Sequence, residues 1–99
     1  MGNFKVIWSN SAKAQLKAIY NYYKVEKKTL QGARNVRYDI LRAAKNIQFK
    51  AQYQKDEIQP EYRRIIVRHF KLLYKEINGN IVILRIFNTF QNPKTQSEG

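Results

Sequence analysis

The sequence contains no cysteine and only one histidine among its 99 residues. Without cysteine it can form no disulfide bond, no thiolate zinc site and no cysteine nucleophile. A single histidine also argues against a conventional metal site, because such sites combine several histidine, cysteine or carboxylate ligands. We therefore expect a protein that uses no metal and no cofactor.

Long apolar runs are also missing. No stretch has the length of a membrane span, and the N-terminus has no basic segment followed by a long apolar one. These absences predict a cytoplasmic protein without a membrane partner. Glycine and proline are scarce, at four and two residues, and Gly32 and Gly79 stand alone, so the sequence offers no glycine-rich phosphate loop.

Acidic residues are few compared with basic ones. Seven Asp and Glu stand against nineteen Lys and Arg, which gives a formal net charge of +12. Such an imbalance indicates partners rather than fold: nucleic acid, an anionic membrane surface or an acidic protein. The length and a hydrophobic content of 43% predict one folded domain over residues 1–93. Periodicity is lost towards the end, which predicts a flexible tail over residues 94–99.

Apolar periodicity predicts the element order β-α-α-β-β-β. The predicted elements are a strand over 4–8, helices over about 12–28 and 33–47, and strands over 63–67, 70–77 and 81–87. Ser9 or Ser11 can cap the first helix and Thr29 the second, because a hydroxyl there accepts a hydrogen bond from a free helix amide. We expect an α+β fold in which a helical hairpin packs on a twisted antiparallel sheet.

Asn78-Gly79 is a two-residue hairpin signal and sets the register of the last two strands. On the core face it predicts the pairs Tyr74–Ile83, Leu72–Arg85 and Phe70–Phe87. On a half-open face it predicts the pairs Lys75–Val82, Leu73–Leu84 and Lys71–Ile86.

Arg85 falls among core residues in this register. An unpaired buried guanidinium is too costly to persist. We favour a pairing with Glu57 or Glu61, from the acidic segment ahead of the sheet. The alternative is an anion-binding arginine at the edge of the sheet.

Cations on the strands form the candidate site. Because alternate residues of a strand share a face, Arg64 and Arg68 are expected to line up with Lys71 and Lys75. Such a cluster suits either a phosphate clamp or stabilisation of a phosphoryl transition state, and spacing alone does not separate these uses. The catalytic candidates are Arg64, Arg68 and Lys71. The wider candidates for binding nucleic acid or another target are Arg63, Arg64, Arg68, Lys71, Lys75 and Arg85.

Three rings lie near these cations. Tyr62 and Phe70 flank the cluster and could stack on bases, although aromatic residues in strands are usually packing residues. His69 stands between two strands, and we interpret it as a turn residue rather than a general base.

Several segments, in this order of elements, resemble one known family. They are Val6-Ile-Trp-Ser9, Ile19-Tyr-Asn-Tyr-Tyr23, Tyr62-Arg-Arg-Ile-Ile-Val67, Phe70-Lys-Leu-Leu-Tyr-Lys75 and Ile83-Leu-Arg-Ile-Phe-Asn-Thr-Phe-Gln-Asn-Pro93. The family is RelE/ParE, the small basic toxins of bacterial type II toxin–antitoxin (plasmid stabilisation) modules. The resemblance implies a compact α+β fold and a cognate antitoxin that wraps and neutralises the toxin.

The resemblance also implies one of two targets. RelE-like members cleave mRNA in the ribosomal A site, using sheet cations with a further Arg and a Tyr near the C-terminus. ParE-like members lack that set and poison DNA gyrase. Lys71 stands where ribonuclease members have an Arg, and Arg64 approximates a basic residue on the preceding strand. Where the C-terminal Arg is expected this chain has Phe90-Gln91, and no Tyr follows.

We therefore predict a ParE-like toxin that inhibits growth by binding DNA gyrase. The alternative is a RelE-like ribosome-dependent mRNA endoribonuclease, so whether the protein is an enzyme stays open. A remote alternative is a non-toxic RNA-binding module. In either toxin interpretation, the charge of +12 would speed association with an acidic antitoxin segment. Exposed apolar residues of the helical hairpin would then form the docking groove.

Overall fold

Four strands and a helical hairpin make up the computed structural model, which describes residues 5–48 and 52–89. The elements are β1 (Val6–Trp8), α1 (Asn10–Asn21), a π-helical segment (Tyr22–Glu26), α2 (Leu30–Lys45), β2 (Arg63–Val67), β3 (Phe70–Ile77) and β4 (Asn80–Asn88). The predicted α+β fold and element order are confirmed. The predicted tail over residues 94–99 lies outside the described residues.

The strands form one sheet in the order β1-β4-β3-β2. The last three strands pair antiparallel, as predicted, whereas β1 pairs parallel with β4. The sheet is therefore mixed. The helical hairpin provides the long connection that brings the chain back to the same sheet after β1.

Both helices begin at a hydroxyl cap. Ser9 Oγ accepts a hydrogen bond from the amide of Ala12 at 3.0 Å, and Thr29 Oγ1 accepts one from the amide of Gly32 at 2.9 Å. The predicted caps Ser9 and Thr29 are confirmed. The first helix keeps α geometry only to Asn21 and continues as the π-helical segment.

The core lies between the hairpin and one face of the sheet. Its buried helix residues are Ala12, Leu16, Val36, Ile40, Ala44 and Ile47, and its buried strand residues are Ile65, Phe70, Leu72, Tyr74, Ile81, Ile83 and Ile86. The predicted core face of β3, with Phe70, Leu72 and Tyr74, is confirmed. The sheet face away from the helices is called the open face below.

The predicted register of β3 and β4 is right near the turn and wrong beyond it. The pairs Ile77–Asn80, Lys75–Val82 and Tyr74–Ile83 are present. A β-bulge follows, and the observed pairs become Leu73–Arg85, Leu72–Ile86, Lys71–Phe87 and Phe70–Asn88. The predicted pairs Leu72–Arg85, Phe70–Phe87, Leu73–Leu84 and Lys71–Ile86 are therefore wrong.

Leu84 is the extra residue of this bulge, and α1 and its cap stabilise it. A bulge removes backbone groups from the regular ladder, and these groups need other partners. Ser9 Oγ donates to the carbonyl of Leu84 at 2.7 Å, and Gln15 Oε1 accepts from the amide of Ile86 at 2.7 Å. Side chains from the first helix thus supply the bonds that the ladder loses.

Candidate target-binding face and hairpin groove

The open face carries most of the predicted site residues. Residues that pair side by side in a sheet point to the same face. Across β2, β3 and β4, one row is Arg64, Leu73 and Arg85, and the next is Ile66, Lys71 and Phe87. Lys75 and Val82 form a third row. The sheet therefore brings together Arg64, Lys71, Lys75 and Arg85.

Lys71 is buried rather than exposed on this face. Its side chain is 6% exposed and that of Asp56 is 1% exposed, with Nζ 2.7 Å from Asp56 Oδ1. The amides of Ile58 and Gln59 donate to Asp56 Oδ2 at 3.1 and 2.8 Å. Lys71 Nζ also lies 5.9 Å from the centre of the Phe87 ring. Lys71 is therefore already paired with an anionic group of its own chain, the carboxylate of Asp56.

Two opposing effects set the pKa of Asp56. Burial raises it, while the hydrogen bond from Lys71, the amides of Gln59 and Ile58, and the charge of Lys71 lower it. The net result is a pKa below the ordinary value of 3.8. The carboxylate is therefore ionised at neutral pH, as a buried ion pair requires.

Arg64 is partly occupied by the same acidic segment. Its guanidinium lies 3.9 Å from Asp56 Oδ1 and 3.7 Å from Glu57 Oε1, and its side chain is 23% exposed. Its backbone amide donates to the carbonyl of Gln54 at 3.0 Å. These contacts fasten the segment after α2 along β2 and over Lys71.

Arg63 and Arg68 are not part of this cluster. Arg68 lies in the turn between β2 and β3 with φ of +57°, and its Nε and Nη2 both lie 2.9 Å from Asp39 Oδ2 on α2. Arg63 Nη1 donates to the carbonyl of Tyr53 at 2.9 Å. The expected alignment of Arg68 with Lys71 and Lys75 is therefore wrong, because the turn directs Arg68 towards the helices.

Arg85 also differs from its sequence interpretation. The bulge turns it from the predicted core face to the open face, where it is half-buried. The acidic segment pairs with Arg64 and Lys71 instead, and the described residues give Arg85 no ion pair with Glu57 or Glu61. It does not lie at the sheet edge either, since β4 is an inner strand.

The three rings have different environments. Phe70 is 5% exposed and belongs to the core, so it does not flank the cations as predicted. Tyr62 is half-buried beneath Lys75, whose Nζ lies 5.5 Å from the ring centre. His69 lies in the β2–β3 turn, and its carbonyl accepts bonds from the amide and hydroxyl of Thr89.

A second feature is a groove between α1 and α2, called the hairpin groove below. It consists of two adjoining cavities of about 410 and 510 Å³. Their lining residues are Trp8, Leu16, Tyr20, Tyr38 and Leu41, the cations Lys13, Lys17, Arg34 and Arg37, and Asn35. The lining contains no acid among the described residues. An apolar floor with cationic rims suits an amphipathic acidic segment.

Metal-binding clusters and membrane-spanning helices are both absent from the described ranges, 5–48 and 52–89. No cluster of three or more His, Asp or Glu side chains there is suited to holding a metal ion. No helix there is both long and apolar enough to cross a bilayer.

Comparison with known proteins identifies relatives of the whole fold. Residues 6–93 match the family described as ParE toxin of type II toxin–antitoxin system, parDE. A solved structure titled "Chromosomal ParDE TA system from P. aeruginosa" contains a similar chain, with a TM-score of 0.75 and 26% sequence identity. The match covers 89% of this chain and 98% of that one. No curated protein sequence matches the chain at a significant level.

Proposed function

This chain belongs to the family of ParE toxins of type II toxin–antitoxin systems, and from that premise we propose that it acts by binding DNA gyrase and is neutralised by a cognate antitoxin. The similar chain of known structure comes from a ParDE toxin–antitoxin system. The partner expected here is accordingly a protein of the ParD kind.

The Lys71–Asp56 ion pair is the main observation that supports a toxin acting by binding its target and not by cleaving RNA. Cleavage of RNA at the sheet would need a cation free to contact the scissile phosphate. Lys71, the candidate that best matches a ribonuclease position, is buried and bonded to Asp56 at 2.7 Å. Releasing it would leave Asp56 buried without its closest counter-ion, at a cost of several kcal/mol.

The other two catalytic candidates support the same conclusion. Arg64 contacts Asp56 and Glu57, and Arg68 contacts Asp39 on the helical side of the sheet. Arg64, Arg68 and Lys71 therefore do not converge on one phosphate. The chain also lacks the C-terminal Arg and Tyr of the ribonuclease pattern, since Phe90-Gln91 stands there.

Purified protein and purified gyrase test the proposal directly. We expect the protein to inhibit supercoiling of a relaxed plasmid in proportion to its concentration. Stoichiometric addition of the cognate antitoxin should restore activity. Full supercoiling at saturating protein would contradict the proposal.

A ribosome assay distinguishes the alternative function. Stalled ribosomes carrying an mRNA in the A site are incubated with the protein, and transcript ends are mapped by primer extension. We expect intact transcripts. Cleavage at A-site codons by the wild-type protein would show an endoribonuclease instead.

The hairpin groove is the proposed antitoxin site. Its apolar residues would take the apolar face of an antitoxin segment, and Lys17 and Arg37 would pair with its acids. Lys17→Glu with Arg37→Glu should weaken the complex at least tenfold, measured by calorimetry. Unchanged affinity in this double variant would place the antitoxin elsewhere.

A further inference from the structure

Two cations of the open face are not engaged by the acidic segment. Lys75 is exposed, and its Nζ lies over the ring of Tyr62. Arg85 is half-buried, and no ion pair or hydrogen bond of its guanidinium is found among the described residues. A half-buried guanidinium without a counter-ion loses hydration and gains nothing in return. Among the described residues, both cations therefore remain available to an anion from another molecule.

The bulge at Leu84 is what places Arg85 on this face. Regular pairing would put Arg85 opposite Leu72, on the core side, whereas the observed partner is Leu73. Bulges frequently re-aim a side chain next to a functional site. Here the bulge sets Arg85 in the same row as Arg64, with one leucine between them.

The acidic segment neutralises cations at one side of the open face. Asp56 and Glu57 contact Lys71 and Arg64, at the β2 side of the sheet. Lys75 and Arg85 form no ion pair with either acid. Within the part of the chain that the structure describes, Lys75 and Arg85 are thus left for an outside ligand, beside the partly exposed Arg64.

We propose that Arg85 and Lys75, assisted by Arg64, bind backbone phosphates of DNA on the open face. Leu73, Lys71 and Phe87 of this face are buried, so its accessible groups are the guanidinium and ammonium groups around them. Such groups suit a repeated phosphate ligand, which they contact without reading bases. The choice of DNA rests on the proposed function, because DNA is the substrate of the proposed target, gyrase. The open face then contacts the DNA of the gyrase complex, while other surfaces bind protein.

Binding of the full-length protein to a short fluorescein-labelled DNA duplex tests the inference by anisotropy over a salt series. Each phosphate contact adds roughly 0.9 to the slope of log affinity against log salt. Arg85→Gln with Lys75→Gln should weaken binding at least tenfold and lower the slope by about two. The exposed Lys75→Gln alone should lower it by about one.

Lys24→Gln with Lys28→Gln is the matched control, because it removes the same charge from exposed positions in and just after the π-helical segment. It should leave binding within about twofold of wild type. Equal weakening in both double variants would show general charge attraction and overturn the inference. Tighter binding to RNA of the same sequence would overturn the choice of DNA.

The outcomes also separate this inference from the proposed function. Inhibition of gyrase without any DNA binding by the toxin, alone or in the gyrase complex, would overturn the DNA site and leave gyrase as the target. DNA binding through Arg85 without inhibition would overturn the gyrase proposal and leave a DNA-binding face.

Discussion

A single buried carboxylate decides what the basic sheet face can do. Asp56 accepts four polar contacts, from Lys71, Arg64 and two backbone amides. It therefore occupies the place that a substrate phosphate would need beside Lys71. In a chain of net charge +12, this acid determines which cations are available for partners.

Removing one partner of this pair should destabilise the fold. Lys71→Met leaves Asp56 buried without its closest counter-ion, so we expect a loss of about 3 kcal/mol in the free energy of unfolding. Asp56→Asn added to Lys71→Met should recover most of that loss, because both charges are gone and the amide oxygen still accepts from Ile58 and Gln59. Urea denaturation of the wild type and both variants measures the difference.

Methionine and asparagine keep most of the side-chain volume, so the double variant removes both charges with little change in packing. Equal stability of the single and double variants would mean that the pair contributes no electrostatic coupling. That result would contradict the argument that Lys71 is held internally.

Acid should remove the contribution of Asp56. Its pKa in the folded state is lowered, so the stabilisation is fully present above the ordinary value of 3.8 and is lost as the pH falls through the folded value. Wild type should therefore lose stability more steeply than Asp56→Asn with Lys71→Met as the pH falls below 3.8. Parallel pH profiles from urea denaturation would contradict this.

At the scale of elements, the bulge joins β4 to the first helix. Ser9 Oγ both accepts from the amide of Ala12 and donates to the carbonyl of Leu84. Thr29 caps α2, and its hydroxyl makes no bond to the sheet among the described residues. The two caps are chemically similar, but only the Ser9 hydroxyl bonds to the bulge.

The two caps should differ in their contribution to stability. Thr29→Ala is expected to cost about 1 kcal/mol, the usual loss for a removed N-cap. Ser9→Ala should cost about 2 kcal/mol, because it also leaves the Leu84 carbonyl without its bond. Thermal unfolding followed by circular dichroism compares them. Equal costs would show that the Ser9–Leu84 bond adds nothing to the bulge.

Local sequence patterns predict the secondary-structure elements correctly. The wrong predictions concern features that depend on contacts between elements. The caps Ser9 and Thr29 and the strand β3 depend on neighbouring residues, so spacing alone reveals them. The bulge depends on two hydrogen bonds, one donated by Ser9 and one accepted by Gln15, which lie more than 70 residues away along the chain. No local sequence pattern reveals these distant hydrogen bonds, so the sequence predicts Arg85 on the core face of the sheet and not on the open face.

The burial of Lys71 cannot be predicted from local sequence patterns, for a related reason. It is covered by an aperiodic segment whose aspartate lies 15 residues earlier in the chain. The sequence did indicate that acids gather ahead of the basic strands, but nothing in it selects Asp56 over Glu57 or Glu61. Their different burial and geometry in the fold make that selection.

At the scale of the whole molecule, cationic surfaces lie on two sides of the fold. The hairpin groove carries Lys13, Lys17, Arg34 and Arg37, and the open face carries Lys75 and Arg85. The net charge of +12 can therefore attract a partner to either surface. Long-range attraction depends on the total charge, whereas tight binding depends on the contacts within each surface.

Association with the antitoxin should separate these two effects. Lys24→Gln with Lys28→Gln lowers the total charge outside the groove, so we expect slower association and an unchanged dissociation rate. Lys17→Gln with Arg37→Gln removes the same charge from the groove, so it should also speed dissociation at least fivefold. Surface plasmon resonance over a salt series measures both rates. An unchanged dissociation rate in the groove variant would mean that the antitoxin is attracted by the charge of the molecule but does not dock between α1 and α2.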